Sequence, residues 1–213
     1  MIDNYKTVVI AFDGTAASGK GTIAKLLANK LGYDYLDTGV MFRKVSYYCY
    51  VHDLNFEEDQ NLIKKIKEIN FYKPVDLKEL YADNISDIAS KIAMQKNVRN
   101  VLLDTQRKFA ENKKGVVIDG RDIGTVVFPN ADYKFFFDAS IEERANRRYK
   151  QLQKMGKSIK LPLVLEYLRV RDERDRWRNI APLLKAEDSF LVDTSKLNID
   201  EVLNIVLKKI ENN

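Results

Sequence analysis

The sequence predicts an α/β fold in which a parallel sheet carries helices on both faces. Short apolar runs typical of buried strands alternate with longer segments of helical character, and a glycine-rich loop joins the first run to the first helix. This alternation favours parallel pairing, because each intervening helix returns the chain to the same edge of the sheet. A chain of 213 residues is long enough for one such domain with insertions and a buried core.

Five segments are predicted to be strands of this sheet. They are residues 7–12, 33–36, 116–118, 133–137 and 189–192. In an open α/β sheet, ligands bind beyond the carboxyl ends of the strands. Residues that directly follow these segments are therefore the first candidates for a functional site.

Helix signals lie between the predicted strands. Residues 22–31 are compatible with a helix, and Gly32 stands where a helix commonly ends. Three later helices are predicted at about residues 141–155, 162–178 and 199 onwards. Ser140 opens a capping-box pattern, Pro162 suits a first helical turn, and Asn198 is a favoured cap.

The loop between the first strand and the first helix has the composition of a phosphate-binding loop. It consists of Gly14, Thr15, Ala16, Ala17, Ser18, Gly19, Lys20, Gly21 and Thr22. In such a loop, backbone N–H groups and the helix N-terminus surround phosphates, and the lysine reaches the outer ones. The usual pattern is G-x-x-x-x-G-K-[ST], but here Gly21 takes the hydroxyl position and the threonine follows. The alternative is a plain strand–turn–helix connection; the flanking strand and helix favour handling of a nucleoside triphosphate.

The composition narrows the class of protein and its location. Apolar residues make up 45% of the chain and charged residues 31%, as in ordinary globular proteins. No apolar run approaches the roughly 20 residues that span a membrane, and the N-terminus lacks a signal-peptide pattern. Cys49 is the only cysteine and is interpreted as helix packing rather than as a nucleophile. A cytoplasmic protein without a membrane partner is expected, and one cysteine with one histidine argues against a zinc site.

The net charge of +5 admits two interpretations. It could mark a nucleic-acid surface, or it could reflect arginines that bind nucleotide phosphates. The lysines are dispersed and the excess is modest, so we prefer the second interpretation and expect no nucleic-acid partner. A monomer is expected because no exposed apolar stripe stands out.

Two regions are too long for simple strand–helix alternation. Residues 55–112 separate the second and third predicted strands, and the charge-dense residues 151–178 follow the fourth. Insertions at the carboxyl edge of a sheet can act as a substrate clamp and a lid. We therefore expect a single domain whose core is about residues 1–54, 113–150 and 179–213, with an insert at 55–112 and a lid region at 151–178.

Arginines and aspartates gather after the predicted strands. The clusters are residues 36–43, 118–125 and 171–178. Arginine suits phosphate because its planar fork donates two parallel hydrogen bonds and keeps its charge. On a helix, Arg171, Asp175 and Arg178 would share one face. The alternative for that segment alone, a solvated helix with ion pairs, is equally compatible with its composition.

At this point the chain resembles a known family, the bacterial cytidylate kinases. The resemblance rests on Gly-Lys-Gly-Thr in the loop, on Leu-Asp-Thr-Gly with an arginine four residues on, on Asp-Gly-Arg-Asp-Ile-Gly-Thr-Val-Val-Phe-Pro, and on Arg-Asp-x-Arg-Asp. It runs from about residue 8 to 207, and residues 119–129 are its most specific part. It implies a three-layer P-loop kinase fold with a five-stranded parallel sheet, a monophosphate-binding insert and a short lid. The implied reaction is transfer of the γ-phosphoryl group of ATP, with Mg²⁺, to CMP or dCMP.

The resemblance also implies roles for particular residues. The implied catalytic residues are Lys20, Arg121 and Arg178. ATP would contact the loop from Gly14 to Thr22 together with Arg144 and Arg148, and Thr22 or a carboxylate-held water would approach the metal. The acceptor would contact Thr38, Arg43, Ser90, Arg99, Arg121, Asp122, Arg171, Asp175 and Arg178. The segment 75–90 is shorter than its counterpart in the family, and Ala17 stands where many phosphate loops have glycine.

The chemistry of the pyrimidine base gives Asp122 a role that stands beside the resemblance. The exocyclic amine of cytosine is a donor, so a carboxylate can accept from it, whereas uracil presents an acceptor there. Two alternatives stay open at the level of sequence. One is a P-loop kinase for another small acceptor such as UMP or shikimate; the other is a non-enzymatic nucleotide- or nucleic-acid-binding module.

Overall fold

A five-stranded parallel sheet forms the centre of the molecule. The computed structural model describes residues 6–55, 62–71, 73 and 75–212. The sheet has the order β2-β3-β1-β4-β5, and all its pairings are parallel. Its strands are β1 (Val8–Gly14), β2 (Asp34–Asp37), β3 (Gly115–Asp119), β4 (Tyr133–Asp138) and β5 (Phe190–Asp193). All five predicted strands and the predicted fold class are confirmed, with ends that differ by one or two residues.

Helices cover the sheet and form the insertions. They are α1 (Lys20–Leu31), α2 (Thr38–Val51), α3 (Leu62–Glu68), α4 (Leu77–Leu80), α5 (Asp83–Ile92), α6 (Lys96–Phe109), α7 (Ile141–Lys154), α8 (Leu161–Trp177) and α9 (Ile199–Glu211). The predicted helix starts are confirmed. Ser140 Oγ accepts a hydrogen bond from the Glu143 amide, Pro162 lies in the first turn of α8, and Asn198 and Glu201 form a reciprocal capping box.

The two faces of the sheet have separate apolar cores. Along β1, Ile10 and Phe12 pack with the side that also holds α1 and α9, whereas Ala11 belongs to the opposite core. This alternation is the two-residue period of a strand that is buried on both faces. Cys49 is buried in the core formed by α2 and the insert helices. The interpretation of Cys49 as helix packing is confirmed.

Within the described residues, the insert region is built from helices joined by short turns. Leu62 and Ile66 of α3 and Leu102 of α6 are buried against the sheet side that carries Ala11. The helices α4 and α5 lie further along the chain, and α5 contacts both α2 and α8. The insert therefore completes the core through α3, α5 and α6 and reaches α8 through α5.

A third apolar cluster links α7 and α8 to the phosphate loop. Ala16 of the loop is buried in it together with Ala145 of α7 and Val164 and Leu168 of α8. Between β3 and β4, residues Ile123–Val127 form a single π-helical turn. Asp13 of β1 holds this turn, because its two carboxylate oxygens accept from the amides of Ile123 and Gly124 at 2.7 Å each.

The outer face of α8 differs from what the sequence suggested. Leu163, Val170 and Trp177 are exposed there, and Trp177 has 82% of its surface accessible. Their spacing of seven residues aligns them on one side of a helix. The expectation of a monomer rested on the absence of such a stripe, so that premise is wrong, while the oligomeric state itself stays a prediction. Within the described residues, no helix combines the length and apolar character needed to cross a membrane.

Candidate active site

The loop after β1 adopts backbone conformations that its glycines permit. Gly14 has φ 147° and Gly19 has φ 89°, and a Cβ at Gly14 would collide with the backbone of Phe137 in β4. Ala17 has φ 60°, which is a left-handed conformation uncommon for alanine. Ala17 therefore occupies the place of a loop glycine at a cost in backbone strain.

Two loop hydroxyls hold the loop in shape. Thr15 Oγ1 donates to Asp138 Oδ1 at 2.8 Å, and Ser18 Oγ donates to the Thr15 carbonyl at 2.9 Å. Both side chains are fully buried. The Thr15 amide donates to the Phe137 carbonyl at 3.2 Å, so the loop is fixed to the end of β4. These two residues shape the loop and do not line the cavity beside it.

Arginines of α7 support the loop from behind. Arg144 is buried, forms an ion pair with Asp172 at 2.6 Å and donates to the Ala139 carbonyl at 2.9 Å. It also reaches the Ala16 carbonyl at 3.4 Å. Arg148, one turn later, lines the cavity instead. The structure thus brings Arg148 to the site, whereas Arg144 is engaged in packing α7 and α8 against the loop.

Sequence reasoning missed Arg147, which has a larger part in holding the loop. Its guanidinium donates to the Thr194 carbonyl at 2.6 Å, to Thr194 Oγ1 at 2.8 Å and to the Ser18 carbonyl at 3.2 Å. Thr194 Oγ1 in turn donates to the Ser18 carbonyl at 2.8 Å. The only sequence signal was its position one residue before Arg148, and the partner Thr194 is remote in sequence.

One cavity of about 650 Å³ joins the phosphate loop, the insert and α8. It lies at the carboxyl ends of β1, β2 and β3, as expected for an open α/β sheet. Sixteen of the predicted site residues line it: Ala16, Ala17, Gly19, Lys20, Gly21, Thr22, Thr38, Arg43, Ser90, Arg99, Arg121, Asp122, Arg148, Arg171, Asp175 and Arg178. The predicted residues Gly14, Thr15, Ser18 and Arg144 do not.

Lys20 faces Asp119 across the cavity floor. The Lys20 Nζ and Asp119 Oδ1 atoms are 3.4 Å apart, and both side chains are almost fully buried. Burial lowers the pKa of Lys20 to about 8, assisted by the charge of Arg121 and opposed by that of Asp119. Burial also raises the pKa of Asp119, and the neighbouring Lys20 opposes that effect.

The same aspartate explains the unusual Gly21. A Cβ on Gly21 would lie 2.7 Å from Asp119 Oδ2 and 3.5 Å from the Tyr35 hydroxyl. A serine or threonine at this position, as in the usual pattern, would therefore collide with the Asp119 carboxylate. The side chain of Tyr35 also hydrogen-bonds to Asp119, and burial is the first cause that raises the pKa of Tyr35. Sequence reasoning did not single out Asp119 or Tyr35 individually.

Residues at the start of α2 line another side of the cavity. Asp37 caps the helix by accepting from the Val40 amide at 3.0 Å, and Thr38 Oγ1 donates to the Asp119 carbonyl at 2.8 Å. Arg43 follows one turn later and lies over the ring of Tyr81 from the insert, 4.4 Å from its centroid. The cluster predicted after the second strand thus reaches the cavity together with an aromatic residue that sequence reasoning missed.

The predicted face of α8 is confirmed by its contacts with the turn after β3. Arg121 Nε donates to Asp175 Oδ2 at 2.9 Å. Burial opposes ionisation of Asp175, but Arg121, Arg171 and Arg178 outweigh it and lower the pKa of this carboxyl group. The solvated-helix interpretation of this segment is wrong, because Asp175 and Arg178 are each less than a tenth exposed.

Asp122 is held between two arginines. Arg99 of α6 forms a short hydrogen-bonded ion pair with Asp122 Oδ2, and Arg178 Nη2 lies 3.8 Å from Asp122 Oδ1. Burial, followed by the nearby charge of Arg99, lowers the pKa of Arg178 to about 10. The two cations hold the Asp122 carboxylate at the cavity wall.

Several guanidinium groups retain buried N–H donors that the protein does not use. Arg43 Nε, Arg171 Nε and Arg178 Nη2 are buried and have no hydrogen-bond acceptor among the described residues. Buried polar atoms in native proteins are normally satisfied, and such donors on arginines match the oxygens of phosphate. Their arrangement around one cavity, opposite the phosphate loop, indicates a site for more than one anionic group.

A phosphate loop at the edge of a five-stranded parallel sheet, facing a cavity lined by arginines of an insert and of α8, defines a P-loop kinase. A crystal structure of an uncharacterized protein from Eubacterium ventriosum has a TM-score of 0.58 with this chain at 15% identity. The aligned region covers 98% of this chain and 100% of the Eubacterium ventriosum chain. This likeness shows the common fold alone.

Sequence comparisons give the family. The cytidylate kinase profile matches residues 10–212. The cytidylate kinase of Fusobacterium nucleatum is 42% identical over 213 aligned residues, covering 96% of this chain and 97% of its own. The cytidylate kinase of Thermosipho melanesiensis is 43% identical over 212, covering 95% and 96%. The chain belongs to the cytidylate kinase family.

Proposed function

We propose that this protein transfers the γ-phosphoryl group of ATP to CMP or dCMP, giving ADP and CDP or dCDP. The observation that carries the proposal is the set of buried, unused donors on Arg43, Arg171 and Arg178 around the same cavity as the phosphate loop. A phosphoryl transfer between two nucleotides concentrates negative charge, and several arginines together with Lys20 line this one cavity, which supports the proposal. Membership in the cytidylate kinase family supports the choice of acceptor.

The proposed roles follow from where each side chain lies. The loop from Gly14 to Thr22 would surround the ATP phosphates with backbone amides, and Lys20 would contact the transferred group. Arg121, which follows β3, and Arg178, which follows α8, would stabilise the negative charge that develops during phosphoryl transfer. Arg148 would lie beside ATP, and Arg144 would act through the loop that it supports.

Thr38, Arg43 and Arg171 would contact the phosphate and sugar of the acceptor, together with Asp175. Arg43 is held against Tyr81, so its guanidinium is oriented before any ligand binds. Asp175 both pairs with Arg121 and lines the cavity. In-line positioning of the two nucleotides would then supply most of the rate enhancement, without a covalent enzyme intermediate.

Selection of the base would rest on Asp122, Arg99 and Ser90. The Asp122 carboxylate, fixed by Arg99, can accept from the exocyclic amine of cytosine. Uracil would place a carbonyl oxygen against it. A site that leaves its polar groups unpaired can reject an analogue by about 10⁴-fold.

The residues beside Lys20 fit a magnesium ion that accompanies ATP. Asp119 Oδ1 is buried without a hydrogen bond from the described residues, and Thr22, two residues after Lys20, lines the same cavity. Carboxylate and hydroxyl oxygens are ligands that Mg²⁺ accepts, directly or through water. Thr22 and Asp119 would hold the ion, which supplies charge neutralisation at the phosphates when bound.

The division of the chain into a core, an insert at about 55–112 and a lid region at about 151–178 is part of the proposal. Closure of these parts over the cavity would exclude water, which otherwise would receive the phosphoryl group. We further propose a cytoplasmic monomer whose partners are its two nucleotides.

A coupled assay of ADP release tests the function. ATP and Mg²⁺ are offered with CMP, dCMP, UMP, AMP, GMP, dTMP or shikimate, each separately. We expect fast release with CMP and dCMP, abolished by Lys20→Ala and unchanged by Lys30→Ala, an exposed lysine at the far end of the same helix. Fast release with UMP or shikimate instead would favour the alternative acceptor, and slow acceptor-independent release would refute the proposed acceptor site.

Substitution of Asp122 tests the basis of selectivity. Asp122→Asn should reduce the preference for CMP over UMP, because the amide can present a donor to uracil. An unchanged preference would show that Asp122 does not read the base.

A further inference from the structure

We propose that Arg174 is a positioning residue that joins the insert to α8 and fixes the orientation of the Ser90 hydroxyl toward the acceptor base. Arg174 is the second arginine of the Arg-Asp-x-Arg-Asp pattern, but no role is predicted for it from the sequence, and it does not line the cavity. The proposal deepens the proposed function and rests on it.

The contact is built from one face of α5. Asp87, Ser90 and Lys91 are spaced three and four residues apart, which places them side by side on a helix. Arg174 Nη1 donates to Asp87 Oδ1 at 3.0 Å and forms a short hydrogen bond to Ser90 Oγ. Lys91 Nζ lies 2.9 Å from the other carboxylate oxygen of Asp87. Arg174 thus binds a carboxylate that is itself held in place.

The charges at this contact reinforce one another. Burial opposes ionisation of Asp87, but hydrogen bonds from Lys91 and Arg174 outweigh it and lower the pKa of the carboxyl group. Asp87 therefore stays ionised at neutral pH and keeps its attraction for Arg174. The Arg174 and Asp87 side chains are 23% and 39% exposed, so the ion pair is screened but not fully solvated.

The position of the contact relates it to the cavity. On α8, Arg171 and Asp175 line the cavity, as does Arg178 directly after the helix, and Arg174 lies within one turn of each of them. On α5, Ala89 and Ser90 line another part of the cavity wall. The Arg174 contact therefore joins the wall proposed to hold the phosphates and sugar to the wall proposed to hold the base.

The bond to Ser90 also determines what its hydroxyl can do. A serine hydroxyl has one donor and two acceptor lone pairs. When Arg174 donates to Ser90 Oγ, one lone pair is used and the O–H remains available as a donor to the cavity. A donor matches the ring nitrogen of cytosine that lacks a proton, whereas the same nitrogen of uracil carries one. Arg174 would in this way favour cytosine without touching it.

Kinetics of matched variants test the proposal. Arg174→Ala should raise the KM for CMP by about tenfold, the effect of losing a hydrogen bond to a charged group, and leave the KM for ATP within about twofold. It should also lower the ratio of kcat/KM for CMP over that for UMP. Arg176→Ala, an exposed arginine on the same helix, should change neither. Arg174→Lys keeps a donor and should therefore recover part of the loss in the KM for CMP and in the CMP to UMP ratio. Such recovery would show that the effect comes from the hydrogen bonds of residue 174, even where the alanine variant folds less well.

A second pair of variants separates the two parts of the role. Asp87→Asn should raise the KM for CMP but preserve the CMP to UMP ratio, because the bond to Ser90 remains. In a double-mutant cycle, Arg174→Ala should have no further effect on that ratio once Ser90 is alanine. Equal increases of KM for ATP and CMP in Arg174→Ala, or additive effects in the cycle, would overturn the proposal.

Calorimetric binding of CMP without ATP keeps this proposal distinct from the proposed function. A wild-type protein that neither binds nor phosphorylates CMP would overturn both. Normal binding and turnover of CMP by the wild-type protein, with the same CMP affinity in Arg174→Ala, would overturn the role of Arg174 alone.

Discussion

Helix propensity and the structure predict opposite effects on the stability of the protein when Gly21 is replaced by alanine. Gly21 lies within α1, where alanine is ordinarily more favourable than glycine by about 1 kcal/mol. The structure, however, places a Cβ at this position 2.7 Å from Asp119 Oδ2, closer than real Cβ contacts. The carboxylate has to retreat by a few tenths of an ångström, although it is buried and faces Lys20.

The expected outcome is a loss of stability. Added volume in a packed interior costs about 1–3 kcal/mol, and it exceeds the gain in propensity. For a chain of this length, each 1 kcal/mol corresponds to about 2–4 °C in the melting temperature. Gly21→Ala should therefore melt several degrees below the wild-type protein, and its kcat should fall because Asp119 is displaced from Lys20.

Thermal unfolding followed by circular dichroism measures this effect in two backgrounds. When Asp119 is alanine, the colliding carboxylate is gone, and Gly21→Ala should become neutral or stabilising. This reversal of sign is specific to the contact between the two residues. A Gly21→Ala protein that melts at or above the wild-type temperature, with Asp119 intact, would refute the reasoning.

Three further predictions concern the loop and α8. Because the pKa of Lys20 is lowered to about 8, chiefly by burial, binding of the ATP–Mg²⁺ complex, whose phosphates are already deprotonated at both pH values, should restore the charged form of Lys20, taking up about half a proton near pH 8 and almost none near pH 6.5. Calorimetry in buffers of different ionisation enthalpy measures this uptake, and equal values at both pH would contradict it. Arg147→Ala should lower the free energy of unfolding by about 2 kcal/mol or more and raise the KM for ATP, since the guanidinium bonds to Thr194 and Ser18 are lost; Arg148→Ala should be less destabilising in the same denaturant titration. Trp177 fluorescence should change when a bisubstrate analogue closes α8 over the cavity, and an unchanged spectrum would argue against closure there.

The fold could be predicted from sequence because its signals are local. Each strand is a short apolar run, and several helices begin at a residue that caps or fits a first turn, such as Ser140 or Asn198. These preferences act over a few residues and need no knowledge of distant partners. The clusters that follow the strands could be predicted as site candidates as well, because parallel strands bring their carboxyl ends to one edge of the sheet.

Contacts between distant segments could not be predicted in the same way. Gly21 looked like a departure from the phosphate-loop pattern until the pairing of β1 with β3 placed Asp119 against it. Three arginines of α7 are nearly adjacent in sequence, yet Arg144 packs against α8, Arg147 holds Thr194 and Arg148 reaches the cavity. A helix rotated by a fraction of a turn would exchange these roles, and only the packed structure determines the rotation.

The electrostatics of the cavity connect its two halves. Burial lowers the pKa of Lys20 in the phosphate loop and of Arg178 after α8, and in each case the next contribution comes from another cation, Arg121 or Arg99. Asp119, Asp122 and Asp175 offset only part of this repulsion. Anionic groups between the loop and α8 would stabilise both cations at once, since each lies in a medium that screens charge poorly. Bound phosphates would therefore favour bringing α8 toward the loop, and the proposed closure of the site would be linked to the presence of the groups that react there.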